Sequence, residues 1–314
     1  MNSNRNNIGI YLKHSLSALN LGKIADKINN DFPKVNIRFI HTKDELYKNI
    51  NKLDILITWK FYIDLYKETK TLQVIISPSA GRDWVPEDPY NKIINIYGSY
   101  HGRLMAETLL SSILSFNNKI DKAILNRQNK IWDRELFCSR RLLGDQNFLI
   151  LGYGKIGKEC AKLIKLFGSN ITGLQRQYES GTDELGTKLI NNNSLDTALK
   201  NSDHIVLILP KTESTNQIIK SRHYKMMKDS AYLYNIGRGN CLQEHELIHA
   251  LKTHEIAGAY LDVTNGLNDM PDKSSELWSL DNVLLTPHTS AIYTNSMQFY
   301  YDNELRSILK KYII

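Results

Sequence analysis

Cysteine and proline are scarce in this chain, with three of the first and seven of the second among 314 residues. Cys138, Cys160 and Cys241 are odd in number and far apart. That pattern excludes a disulfide framework and a clustered-cysteine metal site, and it points to reduced, mostly buried thiols. Long hydrophobic runs are missing too. Ile205 to Leu209 is among the longest, far short of the ~20 residues that span a bilayer. The opening Met-Asn-Ser-Asn-Arg-Asn-Asn has no apolar stretch behind a basic head, so no secretory signal is visible and the expected location is the cytoplasm. Charge does not come in blocks: 40 Lys+Arg against 33 Asp+Glu leave +7, spread along the chain. Such a spread describes a solvated lysine-rich surface that suits a small anionic ligand, and it argues against nucleic acid and membrane partners. There are no internal repeats and no low-complexity linker.

What is present is the makeup of a soluble globular protein, 42% hydrophobic and 23% charged, long enough for two domains with cores of their own. Strand-like runs alternate with helical spacing from the start: Ile8 to Leu12, Val35 to Ile40, Asp54 to Thr58 and Leu72 to Ile76 read as strands, and Leu21 to Ile28 as a helix. Alternation of this kind implies a parallel sheet with helices on its faces. The densest signal follows. Phe148-Leu149-Ile150-Leu151 reads as a buried strand and runs at once into Gly152-Tyr153-Gly154-Lys155-Ile156-Gly157. Ile156, Cys160, Ala161, Ile164 and Phe167 then fall on one helical face that Gly168 ends, and a second strand runs from Ile171 to Leu174. Strand, G-x-G-x-x-G turn and helix inside one βαβ unit of ~30 residues form the dinucleotide-binding fingerprint. Gly152 permits the tight turn, Gly154 the approach of backbone to a pyrophosphate, and Gly157 the close packing of helix on strand. The helix N-terminus offers the phosphates unpaired N–H groups.

Further strands are expected at His204 to Leu209, Ala231 to Asn235, Ala257 to Val263 and Asn282 to Thr286. Helices are expected from Leu104 to Phe116, Leu195 to Leu199, Gln243 to Lys252 and Met297 to Tyr312, the last packing back on the first domain. The fold class is α/β, with two doubly wound parallel-sheet domains. Residues 1–100 plus 291–314 form a flavodoxin-like substrate domain, and 101–290 a Rossmann dinucleotide-binding domain.

Two residues directly follow strands of the second sheet. Arg238 sits between two glycines, and His288 follows Pro287. A cation that grips a carboxylate bidentately and an imidazole that titrates near neutrality suit the reduction of a 2-keto acid, with the hydride coming from a nicotinamide. After Ile76, the small residues Ser79, Ala80 and Gly81, with Arg82, make a loop whose backbone N–H groups could face an anion.

The segments Ser79-Ala80-Gly81-Arg82-Asp83, Met105-Ala106-Glu107-Thr108, Gly152 to Gly157, Leu209-Pro210-Lys211-Thr212, Asn235-Ile236-Gly237-Arg238-Gly239, Gly258 to Val263 and Thr286-Pro287-His288 occur in the order of one family. Over about residues 54 to 290 the chain resembles the D-isomer-specific 2-hydroxyacid dehydrogenases, including glyoxylate and hydroxypyruvate reductases. The resemblance implies a catalytic Arg238 and His288, a substrate-carboxylate loop at Ser79 to Arg82, cofactor contacts from the glycine turn and from Pro210, Thr215, Ile236 and Asp262, and a homodimer paired through the nucleotide domain. The long helix from Leu104 would suit that pairing. The resemblance would cover glyoxylate, hydroxypyruvate, pyruvate and bulkier 2-keto acids as substrates.

Two departures stand out. The family's Glu, which hydrogen-bonds the catalytic His, would fall at Leu267. The segment Thr264 to Leu277 is about two residues longer than usual, which makes Asp269 the stand-in. At the end of the second strand of the βαβ unit, where an NAD site wants an acid, stand Gln175, Arg176 and Gln177, with Glu179 the first acid. Arg176 can meet a 2′-phosphate, so NADP(H) is expected ahead of NAD(H).

Two other readings carry residues of their own. His245-Glu246-Leu247-Ile248-His249 has the spacing of a zinc protease, but Leu247, Ile248, Ala250 and Leu251 define the buried face of that helix and turn both histidines to solvent; no metal is expected. The missing Glu would also suit a nucleotide sensor with little turnover, against which stands the presence of both Arg238 and His288.

Overall fold

The computed structural model describes residues 6–12, 21–176 and 181–313. They divide into two compact units, Met1–His101 with Ile292–Ile314 and Gly102–Ala291. Gln177 and Glu179, named above, lie outside the described residues, as do the first five of the chain.

The first unit carries five strands: β1 (Asn7–Tyr11), β2 (Asn36–Phe39), β3 (Ile55–Thr58), β4 (Val74–Ser77) and β5 (Ile94–Tyr97). Their order is β2-β1-β3-β4-β5, with all neighbours parallel. That is the flavodoxin-like doubly wound arrangement. The apolar runs of β3 and β4 are buried along their whole length, as a central parallel strand with helices on both faces must be. β5 carries no comparable apolar run: it is an edge strand, and Ile94 is half exposed. In the C-terminal segment, the helix Ser296–Tyr300 passes through a π-helical turn, Tyr301–Leu305, into the helix Arg306–Tyr312. This segment belongs to the first unit and is tied to the helix Leu21–Asp31. The Tyr301 hydroxyl donates to Asp31 Oδ2 at 2.6 Å, and Lys27 pairs with Asp302 at 2.9 Å.

The second unit carries β6 (Asn147–Leu151), β7 (Asn170–Leu174), β8 (Gly181–Thr182), β9 (Lys188–Ile190), β10 (His204–Leu207), β11 (Tyr232–Asn235), β12 (Gly258–Leu261) and β13 (Val283–Leu285). The sheet order is β13-β12-β11-β10-β6-β7-β9-β8, and β8 against β9 is antiparallel. The order reverses between β6 and β10, which is the crevice where ligands bind in such sheets. Alternation along β6 builds both cores. Phe148 and Ile150 join Cys160, Ala161 and Ile164 of the helix Lys155–Lys165 on one face, while Leu149 and Leu151 join Leu195, Leu199 and Leu247 on the other. The helix ends at Lys165, so Phe167 lies beyond it and is 43% exposed rather than part of its buried face.

The helix His101–Asn117 spends its apolar face, Met105, Leu109, Ile113 and Phe116, on the same unit's own core. That face is therefore not the one left for a partner. Among the described residues, the following helix, Ile120–Gln128, buries none of its side chains. Ile120, Ile124, Ile131, Trp132 and Leu142 are all exposed in and after it.

Candidate active site

The glycine turn after β6 has the geometry of a phosphate cradle. Gly152 has φ 94°, a left-handed conformation that favours glycine, and a Cβ there would lie 2.3 Å from the Ile208 carbonyl oxygen. Gly154 caps the helix Lys155–Lys165, and a Cβ on it would meet nothing within 4 Å. The turn is thus tight against the protein at Gly152 and open at Gly154. The first amides of the helix, at Lys155, Ile156 and Gly157, have no intrahelical acceptor. These groups fit the pyrophosphate of a dinucleotide. The Tyr153 side chain is not among them: its ring is 1% exposed, and its hydroxyl donates to Asp183 Oδ2 at 2.7 Å and lies 2.9 Å from the Thr187 hydroxyl. Tyr153 offers the site only its backbone.

Beside this turn, β11 ends at Asn235 and the chain bends through Gly237, Arg238 and Gly239. Asn235 holds the bend from both sides, accepting from the Gly237 amide at 3.2 Å and donating to the Arg238 carbonyl at 3.1 Å. A Cβ on Gly237 would sit 2.6 Å from Leu209 N, and one on Gly239 would sit 2.0 Å from the Thr264 carbonyl. The Arg238 loop is therefore pressed between the loops that leave β10 and β12. Ile236 is 2% exposed and packs into the core, so it too contributes only backbone.

After β12 the chain makes a single 3-10 turn, Leu267–Asp269. Thr264 ties it down by donating its amide and its hydroxyl to the Asp269 carbonyl at 3.1 and 3.0 Å. Leu267 points away from the protein, 82% exposed. Asp269 turns inward, and its Oδ2 accepts from His288 Nδ1 at 2.9 Å. Both residues hold positive φ, 61° and 54°. The hydrogen bond from His288 keeps the Asp269 carboxyl below the usual carboxylate range; burial opposes this, and the charges of His288, Arg238 and Lys211 add to it. With Nδ1 so occupied, Nε2 of His288 makes no hydrogen bond among the described residues.

The backbone under His288 is fixed by Asp262, which is fully buried. Its carboxylate accepts from the Thr286 hydroxyl at 2.6 Å and from the amides of Thr289 and Ser290 at 2.8 and 3.1 Å. Its own carbonyl accepts from the His288 amide at 2.8 Å. A carboxylate occupied in this way fastens the loop that carries His288. Its sequence context gave no sign of this, since the three donors lie 24 to 28 residues further along.

At the other end of the crevice Arg176 follows β7. It is exposed, and its Nη1 donates to Ser214 Oγ at 3.3 Å. Ser214 belongs to the 3-10 turn Glu213–Thr215 after β10. Thr215 closes that turn on itself, donating to the Pro210 carbonyl at 2.6 Å, and is 9% exposed. Its hydroxyl is occupied internally, while Pro210 is exposed.

Ser79, Ala80, Gly81 and Arg82 lie in the first unit, in the loop after β4. Two of the amides expected to face an anion are taken by serine hydroxyls: Ser79 N donates to Ser77 Oγ at 3.2 Å and Gly81 N to Ser79 Oγ at 3.1 Å. Serine closes such turns because its short side chain reaches the amide two residues on. Arg82 pairs with Glu87 at 2.8 Å, both exposed, and stacks over Tyr97. Its guanidinium is engaged in this surface ion pair.

In the helix Glu244–Lys252, His245 and His249 are exposed while Leu247, Ala250 and Leu251 are buried, and Glu246 accepts from the Ser221 amide. Among the described residues no group of three His, Cys, Asp or Glu side chains could hold a metal, and no helix is long and apolar enough to cross a membrane.

A family profile described as "D-isomer specific 2-hydroxyacid dehydrogenase, NAD binding domain" matches residues 110–290. The chain is 30% identical over 274 residues to a D-3-phosphoglycerate dehydrogenase of Methanocaldococcus jannaschii, an alignment that covers 85% of this chain and 51% of that protein. It thus spans about half the length of this longer relative. It is 30% identical over 256 residues to a hydroxypyruvate reductase of Thermotoga maritima, covering 79% of this chain and 81% of the relative. Among solved structures, an NADPH-dependent glyoxylate/hydroxypyruvate reductase from Sinorhizobium meliloti superposes with a TM-score of 0.80 at 20% identity, covering 99% of this chain and 96% of that one. A D-lactate dehydrogenase with NAD+ from Lactobacillus jensenii gives 0.78 at 22%, covering 98% and 96%. These two likenesses show the fold.

Proposed function

This chain belongs to the D-isomer-specific 2-hydroxyacid dehydrogenase family, and from that premise we propose that it reduces small 2-keto acids to D-2-hydroxy acids, or runs the reverse reaction, with a nicotinamide dinucleotide. The observation that carries the reading is the 2.9 Å contact of Asp269 with His288 beside the Arg238 loop. All three residues follow neighbouring strands of one parallel sheet.

The roles follow from the groups themselves. Asp269 fixes the His288 ring with Nδ1–H toward the carboxylate, so Nε2 is the nitrogen that exchanges a proton with the substrate oxygen. Asp269 also balances the positive charge when both nitrogens are protonated. Arg238 binds the substrate carboxylate and draws density from the carbonyl. In reduction, Nε2–H gives its proton to the carbonyl oxygen as the C2 carbon gains a hydride, and the neutral imidazole then recovers a proton from water. The bound dinucleotide supplies or takes up that hydride. The residues that would hold it are the backbone of Gly152 to Gly157, with Pro210 and the backbone of Ile236 alongside.

The preferred cofactor in this reading is NADP(H). Arg176 is exposed at the end of β7, and neither Gln175 nor Arg176 brings a carboxylate that would repel a 2′-phosphate. The chain works as a homodimer in the cytoplasm: exposed Ile120, Ile124, Ile131, Trp132 and Leu142 support the first part, and three free cysteines the second.

The test is a panel of 2-keto acids with NADPH and with NADH, followed through oxidation of the reduced nicotinamide. Turnover with at least one keto acid, faster with NADPH and lost in His288→Ala, is expected. Tight nucleotide binding with no turnover on any acid would sink the proposal.

A further inference from the structure

We propose that Lys211 is a specificity-determining residue that forms a second anion-binding position beside Arg238, and that the substrate is accordingly a 2-keto acid carrying a second anionic group, a carboxylate or a phosphate. The inference rests on the reading of the site as a 2-keto acid reductase and names the class of acid it takes.

The placement comes from three neighbouring strand ends. β10, β11 and β12 lie side by side and parallel, so the loops that leave them stand in a row. Those loops touch through backbone. Gly237 is packed against Leu209, two residues before Lys211, and Gly239 against Thr264, at the head of the Asp269 turn. Lys211, Arg238 and Asp269 are therefore held on one edge of the sheet by contacts that leave no room even for a methyl group. The Lys211 charge reaches across this row, since it helps hold the Asp269 carboxyl low.

Lys211 is exposed, and among the described residues it makes no hydrogen bond or ion pair, although Glu213 stands two residues away. Other cations near loop ends are engaged, Arg82 with Glu87 and Arg176 with Ser214. One guanidinium satisfies the single carboxylate common to every 2-keto acid. A second cation in the same row adds nothing for glyoxylate or pyruvate, but it meets an anionic group at the far end of a longer acid. The Lys211 loop also touches the phosphate cradle, since a Cβ on Gly152 would meet Ile208 and Leu209, so a nucleotide phosphate is the rival partner that the binding measurements separate from the second anion of the substrate.

The experiment uses the full chain and its Lys211→Gln and Lys211→Arg variants. kcat/KM is measured for pyruvate and glyoxylate, for the dicarboxylates oxaloacetate and 2-oxoglutarate, and for 3-phosphohydroxypyruvate. In parallel, calorimetry measures binding of two unreactive analogues in the presence of nucleotide, dianionic N-oxalylglycine and monoanionic oxamate. We expect at least one dianion to exceed the monoanions by about tenfold or more, Lys211→Gln to lose about tenfold for dianions alone, and Lys211→Arg to restore most of it. The better of the dicarboxylate and phosphate arms identifies the second group. Equal losses for mono- and dianions, or a loss confined to nucleotide affinity, would overturn the assignment. Should no keto acid turn over, the reductase reading fails, and the two analogues still judge Lys211: equal affinity for both in wild type and variant rejects it.

Discussion

Asp269 Oδ2 and His288 Nδ1 meet at 2.9 Å across 19 residues of chain, and both residues hold a left-handed backbone. Each such conformation costs a non-glycine residue about 1–2 kcal/mol. Here each is held from several sides, Asp269 by Thr264 and His288 by the backbone of Asp262 and Thr286. The strain aims two side chains from separate loops at each other. It lets an aspartate reach the ring, where the resemblance led one to expect a glutamate.

Asp269→Asn should keep the shape of the pair and lose its charge. The expected result is a fall in kcat of about a hundredfold, with substrate KM changed much less. Stopped-flow reduction across pH is the measurement. An Asn variant with wild-type kcat would show that the contact only braces the loop.

Arg176→Asp is expected to exchange cofactor preference. A carboxylate beside Ser214 would repel a 2′-phosphate and accept from ribose hydroxyls, so the ratio of kcat/KM for NADPH over NADH should fall by about tenfold or more. Steady-state kinetics with the two cofactors decides it, and a wild-type enzyme that favours NADH would refute the role of Arg176.

Asp262→Ala separates a loop fastener from a cofactor ligand. It strips an acceptor from the Thr286 hydroxyl and from the Thr289 and Ser290 amides, which should cost about 2–4 kcal/mol of stability and lower kcat through a displaced His288. Nucleotide affinity by fluorescence titration should stay near wild type. A large loss of affinity without a loss of stability would restore Asp262 to the cofactor.

Acid should destabilise the second unit before its carboxylates protonate. His204 is buried against Phe148 between Tyr234 and Gln146, and burial pushes its pKa down to about 3 from 6.5. The unfolded chain binds a proton there that the folded one refuses, so the contribution is complete above about pH 6.5 and is lost as pH falls toward 3. The slope is about 1.4 kcal/mol per pH unit. Urea unfolding at pH 7 and at pH 5 should show it. A His204→Gln variant that folds should lose that slope; an unchanged pH dependence would assign it elsewhere.

Charge placed on the exposed apolar residues of the helix Ile120–Gln128 and the segment after it tests the proposed dimer. Ile124→Glu with Trp132→Glu is expected to give a folded monomer by sedimentation, while a wild-type protein that sediments as a monomer at micromolar concentration would remove the dimer from the reading.

Much of this protein is local and so was legible in its residues. Four consecutive apolar residues at Phe148 to Leu151 can only be a buried strand in a chain this polar. Gly152 to Gly157 carry a turn whose glycines are required by backbone geometry, and Arg238 and His288 announce themselves by standing at strand ends. The edge strand at Ile94 and the β8–β9 hairpin were missed because edge strands need no unbroken apolar run. Tyr153, Thr215, Ile236 and Asp262 were placed by position in a motif, and a motif fixes the backbone without saying which way a side chain turns.

Periodicity and glycine placement act over a few residues, through sterics and the burial of one face. They were enough for two doubly wound sheets and a nucleotide cradle, while the family came from its resemblance in ordered motif segments. Pairing Asp269 with His288 and spending Asp262 on three distant donors are long-range outcomes. Each depends on which loops the sheet order makes neighbours, and a side chain's partner is whichever group of opposite polarity that packing brings within hydrogen-bond reach.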